Sequence, residues 1–453
     1  MLHKYSLNGY NIVLDTESGA VHVFDALSFR MLEFLDESMP KKCPEELYGL
    51  SENRKDIINT YGELYNLKKQ GLLFSPACEP EKKMLESLKK SPVKAMCLNV
   101  AHDCNLCCEY CFAAKGDFGT GRELMPLETG KKAIDFLIKR SGTRRNLEID
   151  FFGGEPLMNF DSVKGIVEYA RSIEKSYGKN FRFTITTNGL LLDNEKIEYI
   201  NKKMDNCVLS LDGRREINDQ MRLCKNGMGS YDKILPNFKK LVLNRDKDYY
   251  IRGTFTRNNL DFASDVCAIA DEGFINTSIE PVVCDENMPY SIKREHLEQI
   301  CREYEKLAQI LLERKKAGNN FNFFHFMIDL DGGPCKVKRL KGCGCGNEYL
   351  AVTPNGDIYP CHQFVGQIGY KMGNVLTGDF DEEMKEAFSG ATLPNKPECA
   401  ECFAKYFCSG GCNANNAVYM GSVLKPHTLS CEMMKKRVEC AIMIKAAETN
   451  ITT

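Results

Sequence analysis

Between residues 95 and 283, short apolar segments alternate with stretches that have the periodicity of helices. The helical stretches include Gly130 to Arg140, Val163 to Tyr177 and Asn259 to Glu272. Because strands that alternate with helices form parallel sheets covered by those helices, this order predicts an α/β fold with a barrel-like parallel sheet. Reactive groups in such barrels gather at the carboxyl ends of the strands. The six predicted strands are Ala95 to Val100, Leu147 to Phe152, Phe181 to Thr186, Cys207 to Leu211, Tyr250 to Phe255 and Asn276 to Val283.

A cysteine-rich loop directly follows the first predicted strand. Cys104, Cys108 and Cys111 have the spacing C-x3-C-x2-C. Three thiolates on one short loop can bind three irons of a [4Fe–4S] cube and leave the fourth iron without a protein ligand. A structural zinc site would instead close its tetrahedron with two separated C-x2-C pairs. The spacing therefore favours an iron–sulfur cluster with one open iron.

Glycine, carboxylate and hydroxyl groups follow other predicted strands. Gly153-Gly154-Glu155-Pro156 comes after the second strand, and Ser210 and Asp212 lie at the end of the fourth. Glycine lets backbone groups approach a bound small molecule, and a neighbouring carboxylate can accept a hydrogen bond from an ammonium group. Arg222 can hold a carboxylate through its bidentate fork. The alternatives are an ordinary tight turn for the glycines and a surface position for Arg222.

A second concentration of cysteines lies in the last third of the chain, and four of them have the spacing C-x2-C-x5-C-x3-C. Zinc is the structural alternative. Because the upstream loop already favours an iron–sulfur cluster, we expect two more [4Fe–4S] cubes here, and their eight ligands account for most of these cysteines. His362 is a further candidate, either as a ligand or as a packed neighbour of Cys361. The cysteines concerned are Cys335, Cys343, Cys345, Cys361, Cys399, Cys402, Cys408, Cys412 and Cys431.

Residues 1–78 have the pattern of a small separate module. Tyr10 to Leu14 and Val21 to Phe24 predict a β-hairpin, helical stretches follow, and Leu72 to Phe74 predicts a short strand. This order resembles a winged helix, which binds DNA in some proteins. With 8 Lys and Arg against 11 Asp and Glu, the module is a poor match to a polyanion. An exposed strand edge beside a helix suits an extended peptide instead.

Composition limits the classes of partner. The formal charge of −2 and the pI near 6.4 give no overall basic field for nucleic acid. No apolar run reaches membrane-spanning length, and Met1 to Tyr10 has no export signal, so we expect a cytoplasmic protein without a membrane partner. In that compartment the 22 cysteines are not expected to pair as disulfides, and clustered ones favour metal binding. Residues 291–318 predict a long, charged and solvated helix.

Taken together, the motifs resemble those of the radical S-adenosylmethionine (SAM) superfamily with its carboxy-terminal SPASM extension. The cysteine loop, the Gly-Gly-Glu-Pro run, Ser-Leu-Asp-Gly at 210–213 and G-x4-C from Gly356 to Cys361 follow one another in the expected order. With the amino-terminal module, the chain resembles the maturases of SCIFF peptides ("six cysteines in forty-five residues"), which install a Cys–Thr thioether link.

The resemblance implies a partial (β/α)6 barrel with an amino-terminal winged-helix-like recognition domain and a carboxy-terminal cysteine-rich SPASM domain. The expected boundaries are 1–78 for the recognition domain, 79–93 for a linker, 94–320 for the barrel and 321–453 for the SPASM domain. The implied cofactors are SAM and three [4Fe–4S] clusters, and the cluster on Cys104, Cys108 and Cys111 would bind SAM. The implied contacts of SAM are Gly154 and Glu155 at its amino group, Arg222 at its carboxylate, Ser210 and Asp212 near the ribose, and Tyr110 towards the adenine.

The remaining ligands are implied in two interleaved sets. Cys343, Cys361 and Cys412 would bind the first auxiliary cluster, whose fourth ligand is left open between Cys335, Cys345 and a substrate thiolate at an open iron. The second auxiliary cluster would be bound by Cys399, Cys402, Cys408 and Cys431.

The resemblance also implies a reaction. One electron cleaves SAM to methionine and a 5′-deoxyadenosyl radical, which abstracts hydrogen from a peptide threonine before a peptide cysteine sulfur bonds to that carbon. An auxiliary cluster accepts the surplus electron. The implied partners are a ribosomally synthesised, leader-bearing precursor peptide and an external electron donor. The alternatives are formylglycine formation, as in the sulfatase maturases, and a non-catalytic metal-binding scaffold for peptides.

Overall fold

The computed structural model describes residues 1–77, 80, 82–330 and 339–449. Cys335, one of the candidate cluster ligands, lies outside these residues. The described chain contains an amino-terminal sheet-and-helix module, a central parallel sheet with helices, and a cysteine-rich segment that contacts both. None of the helices in these ranges combines the length and the apolarity needed to cross a bilayer.

The amino-terminal module begins with three antiparallel strands, β1 (Leu2–Leu7), β2 (Tyr10–Asp15) and β3 (Val21–Phe24). The predicted hairpin corresponds to β2 and β3, whereas β1 was not predicted. Asn8 and Gly9, which join β1 to β2, have φ angles of 50° and 83°. An Asn-Gly pair with two positive φ angles is typical of a two-residue hairpin turn, so the dipeptide was a usable signal for β1.

Two helices cover this sheet, α1 (Ala26–Met31) and α2 (Arg54–Lys69). The carboxylate of Asp25 accepts from the Ser28 N–H at 2.7 Å and caps α1. The predicted strand from Leu72 to Phe74 is wrong. Phe74 has a φ of 54°, which interrupts extended backbone, and Leu73 is buried in the module core.

All six strands predicted for the central region are confirmed, and each pairs in parallel with the next. In three of these strands, buried side chains alternate with more exposed ones, so that one face of the sheet is buried and the other faces the barrel interior. The strands, in their order across the sheet, are β4 (Ala95–His102), β6 (Asn146–Gly153), β7 (Asn180–Thr187), β8 (Asn206–Ser210), β9 (Asp248–Phe255) and β10 (Asn276–Pro281), with the short β5 (Glu123–Leu124) antiparallel to β4.

Helices lie between these strands and bury their apolar faces against the outer surface of the sheet. A Cβ atom on Gly130 would lie 2.3 Å from Ile166 Cδ1, so this glycine permits close packing of two neighbouring helices. A further helix, α3 (Lys82–Lys89), precedes β4 and packs instead against Leu340, Leu393 and Tyr406 of the carboxy-terminal segment. The helices between the strands are α4 (Leu127–Arg140), α5 (Phe160–Ile173), α6 (Asn194–Lys203), α7 (Arg215–Met221), α8 (Tyr231–Leu243) and α9 (Phe262–Asp271).

The carboxy-terminal segment extends the same sheet. On one side β11 (Asn322–Phe323) pairs with β10, and on the other β12 (Tyr349–Val352) pairs in parallel with β4. Two further strands, β13 (Asp357–Tyr359) and β14 (Gly373–Asn374), follow β12 in antiparallel order. The cysteine-rich segment is therefore joined to the barrel beside the strand that carries the cysteine loop.

The helix expected at 291–318 is α10 (Leu297–Lys316), and its predicted solvation is wrong on one face. Tyr304 of α10 is fully buried and accepts from Arg437 Nε at 2.8 Å. Arg437 belongs to the long helix α14 (Thr428–Thr449). The helices before it in the carboxy-terminal segment are α11 (Glu382–Ser389), α12 (Lys405–Cys408) and α13 (Asn413–Met420).

Candidate active site

One cavity of about 600 Å³ lies inside the partial barrel. Cys104, Cys108 and Cys111 line one part of it, and Cys412 and His362 line another. The inward side chains of β6 to β10 form the wall between them. The structure therefore brings the loop cysteines and one member of the carboxy-terminal set to the same cavity.

The loop cysteines form a group of mutually interacting thiols. Burial, followed by the negative charge of Glu155 and of the other two loop thiols, raises the pKa of Cys104 to about 12. Burial also raises the pKa of Cys108 to about 11, although Arg222 opposes the shift. Three thiolates would repel one another here, so a positively charged iron–sulfur core fits the donor set.

The Gly-Gly-Glu-Pro turn packs against the cysteine loop. The Gly154 N–H donates to the Ala101 carbonyl at 2.7 Å, and the Glu155 N–H donates to the Asp103 carbonyl at 2.9 Å. A Cβ atom on Gly154 would lie 2.2 Å from that same Asp103 oxygen. We expected Gly154 to let the backbone approach a bound small molecule. Its missing Cβ instead allows the turn to pack closely against the cysteine loop.

Glu155 is a buried carboxylate with three donors around it. Its Oε1 accepts from Thr187 Oγ1 at 2.8 Å and from the Leu157 N–H at 3.1 Å, and its Oε2 accepts from the Asn188 N–H at 2.8 Å. Burial raises the pKa of Glu155 to about 7 against the effect of these hydrogen bonds. Such a carboxylate, lining the cavity beside Cys104, is suited to pair with a cationic amine.

Tyr110, Asp212 and Arg222 form a buried network. Tyr110 Oη donates to Asp212 Oδ2 at 2.6 Å and accepts from Arg222 Nη1 at 2.9 Å. The other carboxylate oxygen of Asp212 accepts from the Thr254 N–H at 3.1 Å. Tyr110, Arg222 and Ser210 line the cavity, whereas Asp212 is fully buried behind them. In this structure Asp212 orients Tyr110 and Arg222.

The first auxiliary group consists of four thiols that influence one another. Cys343, Cys361 and Cys412 all contribute to raising the pKa of Cys345 well above its usual range, together with its burial. The interaction between Cys345 and Cys361 raises the pKa of the first thiol and lowers that of the second. Cys345 therefore lies with the three cysteines that the resemblance assigned to the first auxiliary cluster.

The second auxiliary group consists of Cys399, Cys402, Cys408 and Cys431. Burial raises the pKa of Cys431 to about 12, and the other three thiols of the group add to that shift. Among the described residues, no three Cys, His, Asp or Glu side chains are arranged tightly enough to hold a single metal ion. Both groups are thus loose gatherings of four thiols, and four thiolates are the usual ligands of a [4Fe–4S] cube.

Several cavity-lining residues were not predicted. Asn188 Nδ2 donates to Asn105 Oδ1 at 2.8 Å and lies 3.7 Å from Cys104 Sγ. Its position in Thr-Asn-Gly after a strand was the available signal. Arg252 and Glu280 also line the cavity, and the available signal was a charged residue within a predicted strand. Burial raises the pKa of Glu280, but Arg252, His325 and Arg437 outweigh it and lower that pKa to about 2.

Comparison with known proteins agrees with this arrangement. Residues 98–245 match the profile of the Radical SAM superfamily, and residues 343–403 match the SPASM profile of an iron–sulfur cluster-binding domain. An uncharacterized protein of Methanocaldococcus jannaschii is 39% identical over 294 residues, which are 60% of this chain and 86% of that protein.

Two further proteins are similar over most of their length. The cysteine-type anaerobic sulfatase-maturating enzyme of Clostridium novyi is 26% identical over 331 residues, 69% of this chain and 86% of that enzyme. The structure of Streptococcus suis SuiB bound to its precursor peptide SuiA has a TM-score of 0.54 and 18% identity, covering 94% of this chain and 98% of SuiB. The chain therefore belongs to the radical SAM superfamily and carries a SPASM iron–sulfur cluster-binding domain.

Proposed function

We propose that the protein is a radical SAM oxidoreductase that forms an intramolecular Cys–Thr thioether link in a ribosomally synthesised, cysteine-rich precursor peptide. In this proposal residues 1–78 recognise the peptide leader, residues 94–320 hold SAM and its cluster, and residues 321–453 hold two auxiliary clusters. The observation that carries it is the single cavity lined by both the cysteine loop and Cys412. A substrate in that cavity would lie between a radical source and an electron acceptor.

The cofactors would supply the radical chemistry of the reaction. SAM bound to a reduced iron–sulfur cluster supplies one-electron chemistry that removes hydrogen from an unactivated C–H bond. The chain supplies binding and orientation. Glu155 would accept from the amino group of SAM, Arg222 would donate to its carboxylate, and Asp212 would hold Tyr110 and Arg222 in place. The barrel wall would shield the reacting groups from bulk water.

The second part of the proposal concerns the peptide. The module at residues 1–78 is acidic, with 8 Lys and Arg against 11 Asp and Glu, and it presents a sheet beside helices. SuiB, whose structure was solved with a precursor peptide, is similar over 94% of this chain. Both observations support a peptide substrate with a leader. The proposal also includes an external electron donor, because the cleavage of SAM consumes one electron.

The test is mass spectrometry after anaerobic incubation of the reconstituted protein with SAM, a reductant and a cysteine-rich candidate peptide. A thioether requires the loss of two hydrogens, one fewer thiol open to alkylation and no reaction with an aldehyde reagent. Cys104→Ala should abolish SAM cleavage, while Cys361→Ala should retain cleavage and stop cross-linking. Unchanged cross-linking in either variant would contradict the proposal.

A second candidate function is formylglycine formation, which the 26% identity to the sulfatase-maturating enzyme of Clostridium novyi favours. In that case the modified peptide would react with an aldehyde reagent, and no sulfur–carbon cross-link would survive fragmentation. A non-catalytic scaffold would instead bind the peptide without changing its mass. About twelve irons per chain, from three four-iron clusters, would exclude a scaffold that binds only zinc.

A further inference from the structure

Lys396 is a buried lysine that lies among the proposed ligands of both auxiliary clusters. Its exposed fraction is 1%. Nζ donates to the Gly410 carbonyl at 2.8 Å and to Asn413 Oδ1 at 3.2 Å. These two acceptors belong to the chain on either side of Cys412, so the ammonium group is bonded to the segment that connects the second auxiliary group to the first.

Among the described residues, no Asp or Glu side chain lies within ion-pair distance of the Lys396 ammonium group. Both of its hydrogen-bond acceptors are neutral oxygens. Transfer of an ammonium group into a protein interior without a counter-charge is costly, so such groups are normally paired with an anion. A negatively charged group other than Asp or Glu is therefore needed to stabilise the Lys396 ammonium group in this position.

Thiol groups of both auxiliary groups interact electrostatically with Lys396. Burial lowers its pKa, and Cys399, Cys408, Cys412 and Cys343 oppose that shift, in this order of strength. Cys399 and Cys408 belong to the second auxiliary group, and Cys412 and Cys343 to the first. Iron–sulfur clusters bound by four thiolates carry net negative charge, which is the counter-charge that the lysine lacks.

The neighbouring backbone is shaped around this side chain. A Cβ atom on Gly410 would lie 2.7 Å from Lys396 Cδ and 3.0 Å from its Nζ, and Gly410 has a φ of 84°. Glycine is the residue that combines this positive φ with the space the lysine occupies. The loop between Cys408 and Cys412 therefore packs closely against the Lys396 side chain at Gly410.

We propose that Lys396 is a positioning residue that places one positive charge between the two auxiliary clusters and makes both easier to reduce. A nearby positive charge stabilises the more negative, reduced form of a cluster and so raises its reduction potential. This effect suits clusters that accept the surplus electron of the reaction. The inference rests on the proposed function, because that proposal supplies the two clusters.

The test uses the full-length chain with Cys104, Cys108 and Cys111 all replaced by alanine, so that only the auxiliary clusters remain. In this background Lys396→Met removes the charge at similar volume, Lys396→Arg keeps it, and Lys371→Met alters an exposed lysine as a control. The measurements are iron and sulfide content and reduction potentials from anaerobic titrations followed by electron paramagnetic resonance.

We expect Lys396→Met to shift the auxiliary potentials to more negative values, while Lys396→Arg and Lys371→Met leave them near those of the parent. Iron loss in Lys396→Met that Lys396→Arg restores would also support a role for the charge. Unchanged potentials in Lys396→Met, or equal iron loss in the Met and Arg variants, would overturn the inference. If the parent protein, with Cys104, Cys108 and Cys111 replaced by alanine, binds no iron, the proposal of two auxiliary clusters is wrong. The inference about Lys396 is then wrong as well.

Discussion

Glu17 and Lys405 form an ion pair of 2.7 Å that joins the amino-terminal module to the cysteine-rich segment. Their side chains are 3% and 13% exposed. Nearby, the rings of His3 and Phe403 stack with their centroids 3.4 Å apart. Phe403 and Lys405 both lie between Cys402 and Cys408, so the module docks on the loop of the second auxiliary group.

Glu17→Ala should loosen this docking, because it leaves the ammonium group of Lys405 in a largely buried place without its carboxylate. Loss of one partner of a buried pair costs about 3–5 kcal/mol, and we expect a destabilisation of that order in the module. Hydrogen exchange of β1 to β3 measures it. Glu33→Ala, at a more exposed carboxylate 3.8 Å from Lys4, is the matched control and should leave exchange nearly unchanged. Equal exchange in both variants would show that the ion pair does not hold the module.

Tyr110→Phe should weaken SAM binding by about 5–30-fold in the reconstituted protein. The variant removes the hydroxyl that donates to Asp212 and accepts from Arg222, and one unsatisfied buried group costs about 1–2 kcal/mol. Anaerobic equilibrium dialysis with labelled SAM gives the affinity. Tyr290→Phe is the control, since its hydroxyl donates to the Glu109 carbonyl at an exposed position. If Tyr110→Phe left the affinity for SAM unchanged, the network of Tyr110, Asp212 and Arg222 would have no role in SAM binding.

Glu155 should make the stability of the cofactor-free protein depend on pH. Burial raises its pKa from 4.5 to about 7, so between these values the folded chain binds more protons than the unfolded chain. The contribution of Glu155 to stability is therefore fully present at low pH and is lost as pH rises through about 7.

Glu155→Gln removes this titration. The free energy of unfolding of the variant relative to the parent should improve by about 1–3 kcal/mol between pH 4.5 and pH 8. Anaerobic urea denaturation at several pH values measures the difference, and Glu216→Gln at an exposed carboxylate should show no such trend. A difference that is constant with pH would mean that Glu155 does not titrate in this range.

The barrel was predictable because its signals are local. Alternating apolar strands and amphipathic helices specify each element within about ten residues, and all six strands were found within a few residues of their predicted bounds. Leu72 to Phe74 shows the limit of this approach, because a buried apolar triplet has the same pattern whether its backbone is extended or contains a positive φ. The burial of α10 depends on contacts with α14, more than a hundred residues later in the chain.

The candidate site was predictable in its residue types and less so in its contacts. Spacing indicated that the three cysteines of the loop would gather, because ligands on one loop must lie close together. The two interleaved auxiliary sets were implied by the resemblance. The sequence could not show that Asp212 faces away from the cavity, because a strand end permits either direction. The burial of Lys396 could not be predicted, because a single sequence does not distinguish a buried lysine from an exposed one.

The fourth thiol of the first auxiliary group offers the sharpest test of the structure. Cys345 interacts with Cys361, Cys343 and Cys412, so Cys345→Ala should lose iron from this group, up to about four irons per chain. Cys335→Ala, at the other cysteine that the sequence left open, should keep its full iron content. Iron and sulfide analysis after anaerobic reconstitution compares the two. Loss of iron in Cys335→Ala alone would assign the ligand to Cys335, and full iron in both variants would favour an iron left open for a substrate thiolate.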